Sequence, residues 1–570
     1  MIPLRYLIAV ERWPGSADGP QREQGQALWA QDGVRVTANR LCHVLLGADG
    51  VVLGDVFGRD GQAVRNLQSI SRRWQDLLLR DHWGRYIAVW RDDRLVHVLR
   101  DPSGSLPCYY AEHEGRIWIA SDLDQLRRAG VPIRVDPARV AAQFVDGEWQ
   151  AEATCVSAVS ELIPGAVLTI ADQQPSQRQA WLPAAFSVRA AARGSSLQVV
   201  AEELRETVVS SVRTFTSGYS RAVVELSGGL DSSIVAACVS SHLSATCATL
   251  VTADRGGDER PFARHVAKRL GLPLIEVIRD PAHLDLGQAI APHLPRPGPR
   301  GFTQESDRLL TRCADNIGAD LLLSGGGGDS VFCLLRSVVP VLDRLRARHG
   351  ASGVLDTMRD AADLTGRTLW WVTHQVLRSA LGLDRGASPG ERLMLIAPTA
   401  RAAVTSNASL HPWFTGTSSL PPGRRRHIAA IAGIQGYLHG MARGSGRTLL
   451  FPLMAQPILE RCLSIASWQW IDGGFDRAVA RRAFAAQLPA EIAFRRGKGH
   501  LDAFGRAVFD RHRSTIRSLL LDGTLVRSGF LDRCATEAQF ALDPSSTHIR
   551  HFDLLELADS EAWCQGVAAV

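Results

Sequence analysis

The heptapeptide Ser227-Gly228-Gly229-Leu230-Asp231-Ser232-Ser233 constrains the fold of this chain more than any other stretch. An apolar run, Ala222-Val223-Val224-Glu225-Leu226, precedes it, and Ile234-Val235-Ala236-Ala237-Cys238-Val239 follows. That order predicts a buried strand, a tight glycine turn and then a helix. The first N–H groups of such a helix have no partner inside it, and adjacent glycines let the backbone close around an anion without Cβ interference. Asp231 beside that anion would repel it unless a cation lies between them, which points to Mg2+. A Gly-Ser turn that merely joins a core strand to a core helix is the competing reading. The heptapeptide differs from a kinase-type P-loop, which needs Gly-Lys-Ser/Thr after its glycines.

The same strand–helix alternation continues downstream. Strands are expected at 246–251, 274–278 and 320–324, with a helix at 260–270. An amphipathic helix over 197–215, with Val200, Leu204, Val208 and Val212 on one stripe, leads into the series. This is the pattern of a doubly wound parallel sheet, which binds ligands at the C-terminal ends of its strands. Residues 1–185 read instead as short strands separated by turns, and 184–196, rich in Ala, Arg, Gly and Ser, reads as a linker. Beyond about 330 the chain is expected to be largely helical. At 570 residues it is too long for one ordinary core, so at least two domains are expected.

Composition excludes several classes. No stretch of about 18 apolar residues occurs and the N-terminal apolar run is short, so neither a membrane span nor a signal peptide is expected. Ten cysteines without a Cys-x-x-Cys pair suit buried thiols of a reduced, cytoplasmic protein. A net charge of +6 is mild for this size and does not call for nucleic acid. The run Arg424-Arg425-Arg426 reads as a solvated loop, and Trp370-Trp371-Val372-Thr373-His374 as helical core with His374 a hydrogen-bonded partner. Of 64 basic residues only Lys268 and Lys498 are lysines, and a lysine kept in such a chain can mark a need for a compact ammonium.

Three further stretches carry chemistry. Ser324-Gly325-Gly326-Gly327-Gly328-Asp329 closes the fourth strand, so a second glycine turn lies at the same sheet edge as the first, with Asp329 placed as a second oxygen ligand for Mg2+. Phe494-Arg495-Arg496-Gly497-Lys498-Gly499 offers a cation on a glycine-flanked loop, where Lys498 could meet the charge on an α-phosphate. The acids of 252–260 sit where a nucleoside would lie, but read more simply as helix N-terminal charges.

The first loop resembles the pyrophosphate loop of ATP pyrophosphatases, which split ATP into AMP and pyrophosphate. Both glycine loops, the lysine loop and the order of parts resemble the asparagine synthetase superfamily. In the first half, Trp83-Gly84-Arg85-Tyr86-Ile87-Ala88-Val89-Trp90, the stretch 99–110, Ala120-Ser121-Asp122-Leu123 and Leu162-Ile163-Pro164-Gly165 are similar to its glutaminase-domain core. The resemblance covers nearly the whole chain. It implies a two-domain α/β fold, with a β-rich Ntn-hydrolase-like sandwich over 1–185 and an ATP-pyrophosphatase domain with a helical extension over 197–570.

Two departures narrow the member. A working glutaminase of this kind needs cysteine as residue 2; Ile2 stands there and Cys42 is far from the chain end, so the first domain is expected to be degenerate. Asparagine synthetases carry glutamate, and β-lactam synthetases tyrosine, three residues before the position of Asp329; this chain has Gly326, which reads as a loop opened for a bulkier acceptor. The stretches 452–463 and 476–484, Leu488-Pro489 and the loop 496–499, together with the Gly-Gly-Gly-Gly-Asp loop, are similar to lasso-peptide cyclases, which close a macrolactam on a ribosomal peptide.

That resemblance implies ATP and Mg2+ as cofactors, with Asp231 and Asp329 holding the metal. Ser227, Gly228, Gly229, Ser232 and Ser233 would cradle pyrophosphate. Leu226, Val251, Ser324 and Gly325 would frame the adenosine, and Lys498 would stabilise the adenylate. The implied partners are a precursor or core peptide, a leader peptidase and a leader-binding protein. No general base stands out; Asp356, Asp360 and Asp363 are candidate helpers. Other amide-forming synthetases of the superfamily, β-lactam-synthetase-like or ammonia-dependent, and a non-catalytic scaffold remain alternatives.

Overall fold

The computed structural model describes residues 4–11, 27–39, 44–47, 49–65, 74–92, 94–146, 151–171, 174–188, 196–254, 256–298, 301, 303–347, 351–383, 390–406, 411–441, 446–497, 499, 501–543, 546 and 548–569. Ile2, Cys42 and Lys498 fall outside them.

The first half is two six-stranded antiparallel sheets face to face. One contains Tyr6–Glu11 at its centre, the other Gly50–Gly58, His82–Asp92 and Leu95–Arg100. Side chains alternate across a strand. Tyr6, Ile8 and Val10 therefore enter the core that includes Val52, Val89 and Val98. Leu7 and Ala9 point the other way, into a second core with Trp118, Leu126, Phe504 and Trp563. A strand buried on both faces has no polar side to show, which accounts for the unbroken apolar run Tyr6-Leu7-Ile8-Ala9-Val10.

The second half is built on a five-stranded parallel sheet. In chain order its strands are β1 Arg221–Glu225, β2 Ser244–Val251, β3 Leu274–Ile278, β4 Leu321–Leu323 and β5 Thr448–Leu450. Their spatial order is β3-β2-β1-β4-β5. The helices that bear on the site are α1 Leu197–Thr216, α2 Leu230–Val239, α3 Arg260–Leu270, α4 Thr303–Ile317, α5 Ala351–Thr365, α6 Leu369–Ala380, α7 Pro422–His439, α8 Ala478–Phe484 and α9 His551–Ala569. Ser196 caps α1 by accepting from the Val199 N–H, and Val200, Leu204, Val208 and Val212 are buried as the stripe predicts. Phe215 at its end stacks on Trp83 of the first half, ring centroids 5.3 Å apart.

The two halves share their main core, and α7 is the element clamped between them. Gln435 donates to the Ser103 carbonyl at 3.2 Å and His439 Nε2 to that of Gly104 at 2.6 Å. Trp413 Nε1 donates to Pro164 O at 3.1 Å.

Four sequence expectations need correction. Ala184–Val188 is a short helix, not linker, because Phe186 packs on Trp181 at 5.5 Å. Arg424 is no solvated loop residue: Pro422 starts α7, and Arg424 is buried with its guanidinium on the Leu463 carbonyl at 3.3 Å. The Trp370–His374 stretch is not core: α6 buries Val372 and Val376 only, leaving His374 exposed and Trp370 80% exposed. The fifth strand, β5, was not foreseen. Among the described residues no helix is long and apolar enough to cross a membrane, and every cysteine is a free thiol.

Candidate active site

Parallel pairing of β1 with β4, Val224 opposite Leu323, ends both strands at one edge. The turns that follow them therefore lie side by side. They touch through backbone: a Cβ on Gly325 would sit 2.5 Å from the Ser232 nitrogen. Replacing Gly325 by Ala is accordingly expected to force the loops apart and to weaken Mg-ATP binding at least about tenfold, the equivalent of 1.4 kcal/mol, in a calorimetric titration. Unchanged affinity would mean that the contact is not needed.

The turns are internally tied. Gly229 N–H donates to Ser227 Oγ at 3.2 Å, and Ser227 N–H to Ser232 Oγ at 3.3 Å. Ser324 Oγ donates to Glu225 at 2.7 Å, and Gly326 N–H to Ser324 Oγ at 3.2 Å. Both turns open on a cavity of about 850 Å³. Leu226, Ser227, Gly229, Asp231, Ser232, Ser324, Gly325 and Asp329 line it. Gly228, Ser233 and Val251 do not; the Ser233 hydroxyl turns back to the Gly229 carbonyl at 2.7 Å. Lys498 is outside the described residues, while its neighbours Gly497 and Gly499 line the cavity. Lys268 is exposed in the last turn of α3, an ordinary place for a cation.

The loop that carries Lys498 is clamped over the first turn. Glu259 pairs with Arg495 at 3.1 Å and accepts the Gly499 N–H at 3.0 Å. The Arg495 guanidinium lies over the Phe262 ring, 3.6 Å from its centroid. Glu259 is thus a positioning anchor rather than only a helix N-terminal charge.

Arg477 was missed by sequence reasoning. It sits just before α8 in the left-handed region, φ 50°, and is buried. Its guanidinium donates to Asp231 at 3.1 Å and to Asp329, and pairs with Asp476 at 3.2 Å. Burial disfavours its charge, but Asp231, Asp329 and Asp476 outweigh burial and raise its pKa above the usual guanidinium value. Asp476 also holds Arg481 at 2.9 Å; burial opposes its ionisation, yet Arg477 and Arg481 keep its pKa below the ordinary carboxylate value.

Gly326 does not open the loop. A Cβ there would lie 2.8 Å from the Phe451 ring and 2.9 Å from Leu438, so neighbouring side chains already fill the direction a residue would take. None of the three candidate helper acids lines the cavity. Asp356 pairs with Arg359 at 3.2 Å. Asp360 accepts from the backbone of Gly473 and Gly474, and Asp363 packs against Gly474. These two brace the loop that leads to Arg477.

Besides the residues of the two turns, Ile434, Tyr437 and Met441 and, from α9, Phe552, Leu555 and Glu556 line the cavity. Paired carboxylates beside backbone-lined turns fit Mg2+ bound jointly with a polyphosphate, since Mg2+ takes one or two protein carboxylates and completes its shell from phosphates and water. Among the described residues no group of three or more His, Cys, Asp or Glu side chains is placed to hold a metal ion.

A two-part α/β chain with paired glycine turns at one sheet edge is what the fold presents, and the comparisons give its class. The family model described as asparagine synthase matches residues 203–403 and 436–565, more than half of the chain. That described as a glutamine amidotransferase domain matches residues 68–181. The chain belongs to the asparagine synthase family, and its second half is an ATP-dependent C–N ligase domain. No curated protein matches it. Among solved structures it is similar to "the allosteric regulatory enzyme of purine biosynthesis", at 8% identity and TM-score 0.20 over 49% of this chain and 74% of that one. It is also similar to glutamine phosphoribosylpyrophosphate amidotransferase from B. subtilis complexed with ADP and GMP, at 9% identity and TM-score 0.18 over 48% of this chain and 59% of that one.

Proposed function

We propose that this ligase is a macrolactam synthetase of the lasso-peptide cyclase type. The observation that carries the reading is the cavity. Its lining joins the Asp231–Asp329 pair and both turns to the apolar side chains of Ile434, Tyr437 and Met441, which would give a peptide segment a surface beside a nucleotide. The resemblance of 452–463, 476–484, Leu488-Pro489 and 496–499 to lasso-peptide cyclases supports it.

In the proposed reaction a side-chain carboxylate of an Asp or Glu in the core peptide attacks the α-phosphorus of ATP. The bond to the β-phosphate oxygen breaks and pyrophosphate leaves. The peptide's own α-amine, neutral when it reacts, then attacks the acyl carbon; AMP departs with the C–O bond electrons, and the surplus amine proton goes to solvent. Asp231 and Asp329 would hold Mg2+, whose charge offsets that of the departing pyrophosphate. Ser227, Gly229 and Ser232 present the first turn to it. Lys498, on the loop clamped by Glu259, would face the α-phosphate. Amine and acyl group belong to the same peptide, so the second step is intramolecular, and the cavity walls would keep the two within reach. The precursor peptide, a leader peptidase and a leader-binding protein are the partners this reading requires.

Incubation with Mg-ATP and candidate core peptides is expected to yield AMP together with a peptide lighter by one water and resistant to carboxypeptidase. AMP formation with a small amino acid, and with no peptide, would replace this reading by a small-substrate synthetase.

A further inference from the structure

Arg477 stands where a cation bridging Asp231 and Asp329 belongs. One nitrogen, Nη1, serves both carboxylates: it lies 3.1 and 3.3 Å from the two oxygens of Asp231 and bonds Asp329 as well. Its Nε is on Asp476 at 3.2 Å. Asp476 is itself fixed by Arg481 at 2.9 Å and Arg336 at 3.1 Å. The backbone at Arg477 is in the left-handed region, φ 50° and ψ 33°, which a non-glycine residue adopts only when its surroundings impose it. Asp360 and Asp363 supply part of that imposition by bracing Gly473 and Gly474 just upstream. A left-handed residue, a buried guanidinium and a triply paired aspartate thus converge on aiming one cation at the carboxylate pair.

Two carboxylates that reach one nitrogen repel each other, and the buried member, Asp231, needs a cation beside it while Asp329 is partly exposed. A divalent ion arriving alone must displace Nη1 from both carboxylates and leave the buried guanidinium with Asp476, on Nε, as its one remaining carboxylate partner among those that pair with it here. A divalent ion arriving with a polyphosphate brings a new anion for it. We infer that Arg477 is an exchangeable counter-ion: it holds the Asp231–Asp329 pair in the nucleotide-free enzyme, excludes free divalent cations, and yields only when polyphosphate oxygens take the guanidinium over. The inference rests on reading this site as the ATP–Mg2+ centre. Metal and nucleotide then bind with positive coupling, and by linkage each strengthens the other equally.

Mn2+ is the probe, followed by electron paramagnetic resonance on the full-length protein with and without a non-hydrolysable ATP analogue. Wild type is expected to take up Mn2+ tightly only with the analogue present. Arg477→Met is expected to bind Mn2+ without nucleotide at least about tenfold more tightly than wild type, and to lose that site when combined with Asp231→Asn. If a melting scan shows Arg477→Met to be unfolded, Arg477→Lys carries the comparison: a compact ammonium cannot serve the pair as a guanidinium does, and a smaller shift of the same sign is expected. Wild type binding Mn2+ alone as tightly as the folded variant overturns the exchange but leaves the site reading intact. Failure of wild type to bind the analogue at all overturns both.

Discussion

Asp231→Asn is expected to fold normally and to lose AMP formation by about 1,000-fold, measured as AMP release with Mg-ATP and a core peptide. The substitution is isosteric, and Asp231 lies in the first turn of α2 beside the second glycine turn. Its amide oxygen can still accept from Arg477, so the local hydrogen bond survives. Losing a negative charge at a helix N-terminus costs about 0.3–1 kcal/mol, and the buried Arg477 keeps Asp329 and Asp476 as its anions, so the domain is expected to stay folded. What disappears is half of the carboxylate pair proposed to hold Mg2+, at the point where charge builds on pyrophosphate. AMP formation within about tenfold of wild type, with the variant still folded, would take Asp231 out of the metal site.

The parts of this site that local sequence could specify were the parts that short-range rules govern. The strand, glycine turn and helix at 222–239 and the strand and turn at 321–329 are contiguous, and their shared sheet edge follows from parallel pairing. Arg477 is different. It meets Asp231 across 246 residues, and nothing local separates it from the other arginines of a chain that uses arginine almost everywhere. The scarcity of lysine drew attention to Lys498, yet the cation that meets both carboxylates among the described residues is an arginine. Gly326 shows the opposite limit: a missing side chain reads as open space, whereas Phe451, 125 positions later, fills it from β5's far end. β5 itself has three residues, too few to carry a period. Trp370 and Trp371 read as core because they are large and apolar, but burial of a helix is decided by which stripe its neighbours cover, and α6 is covered along Val372 and Val376.

The degenerate look of the first half invites the idea that it could be lost, and Arg100→Met is the substitution expected to answer that. Arg100 is wholly buried and pairs with Glu161, also wholly buried, at 2.9 Å. Its remaining N–H groups serve the carbonyls of Leu106 at 2.8 Å, Leu162 at 2.6 Å and Gly104 at 3.1 Å. Methionine of similar length fills the space but leaves those carbonyls without this donor, and leaves Glu161 to Arg296 alone, at 3.1 Å. Breaking a buried pair on one side costs about 3–5 kcal/mol, a large share of the 5–15 kcal/mol that folded proteins have in total. The urea midpoint should fall accordingly, and Arg100→Lys should recover only part of it, because an ammonium cannot fan out to four acceptors. The effect should also reach the ligase. Gly104 accepts from His439 at the end of α7, and the same helix presents Ile434 and Tyr437 to the cavity. Loosening the 101–105 turn releases one end of that wall, so AMP formation with a core peptide is expected to fall even at temperatures where Arg100→Met remains folded. A lowered midpoint with unchanged peptide-dependent AMP formation would make the first half a folding support alone; a fall in both makes it a part of the wall against which the peptide is held.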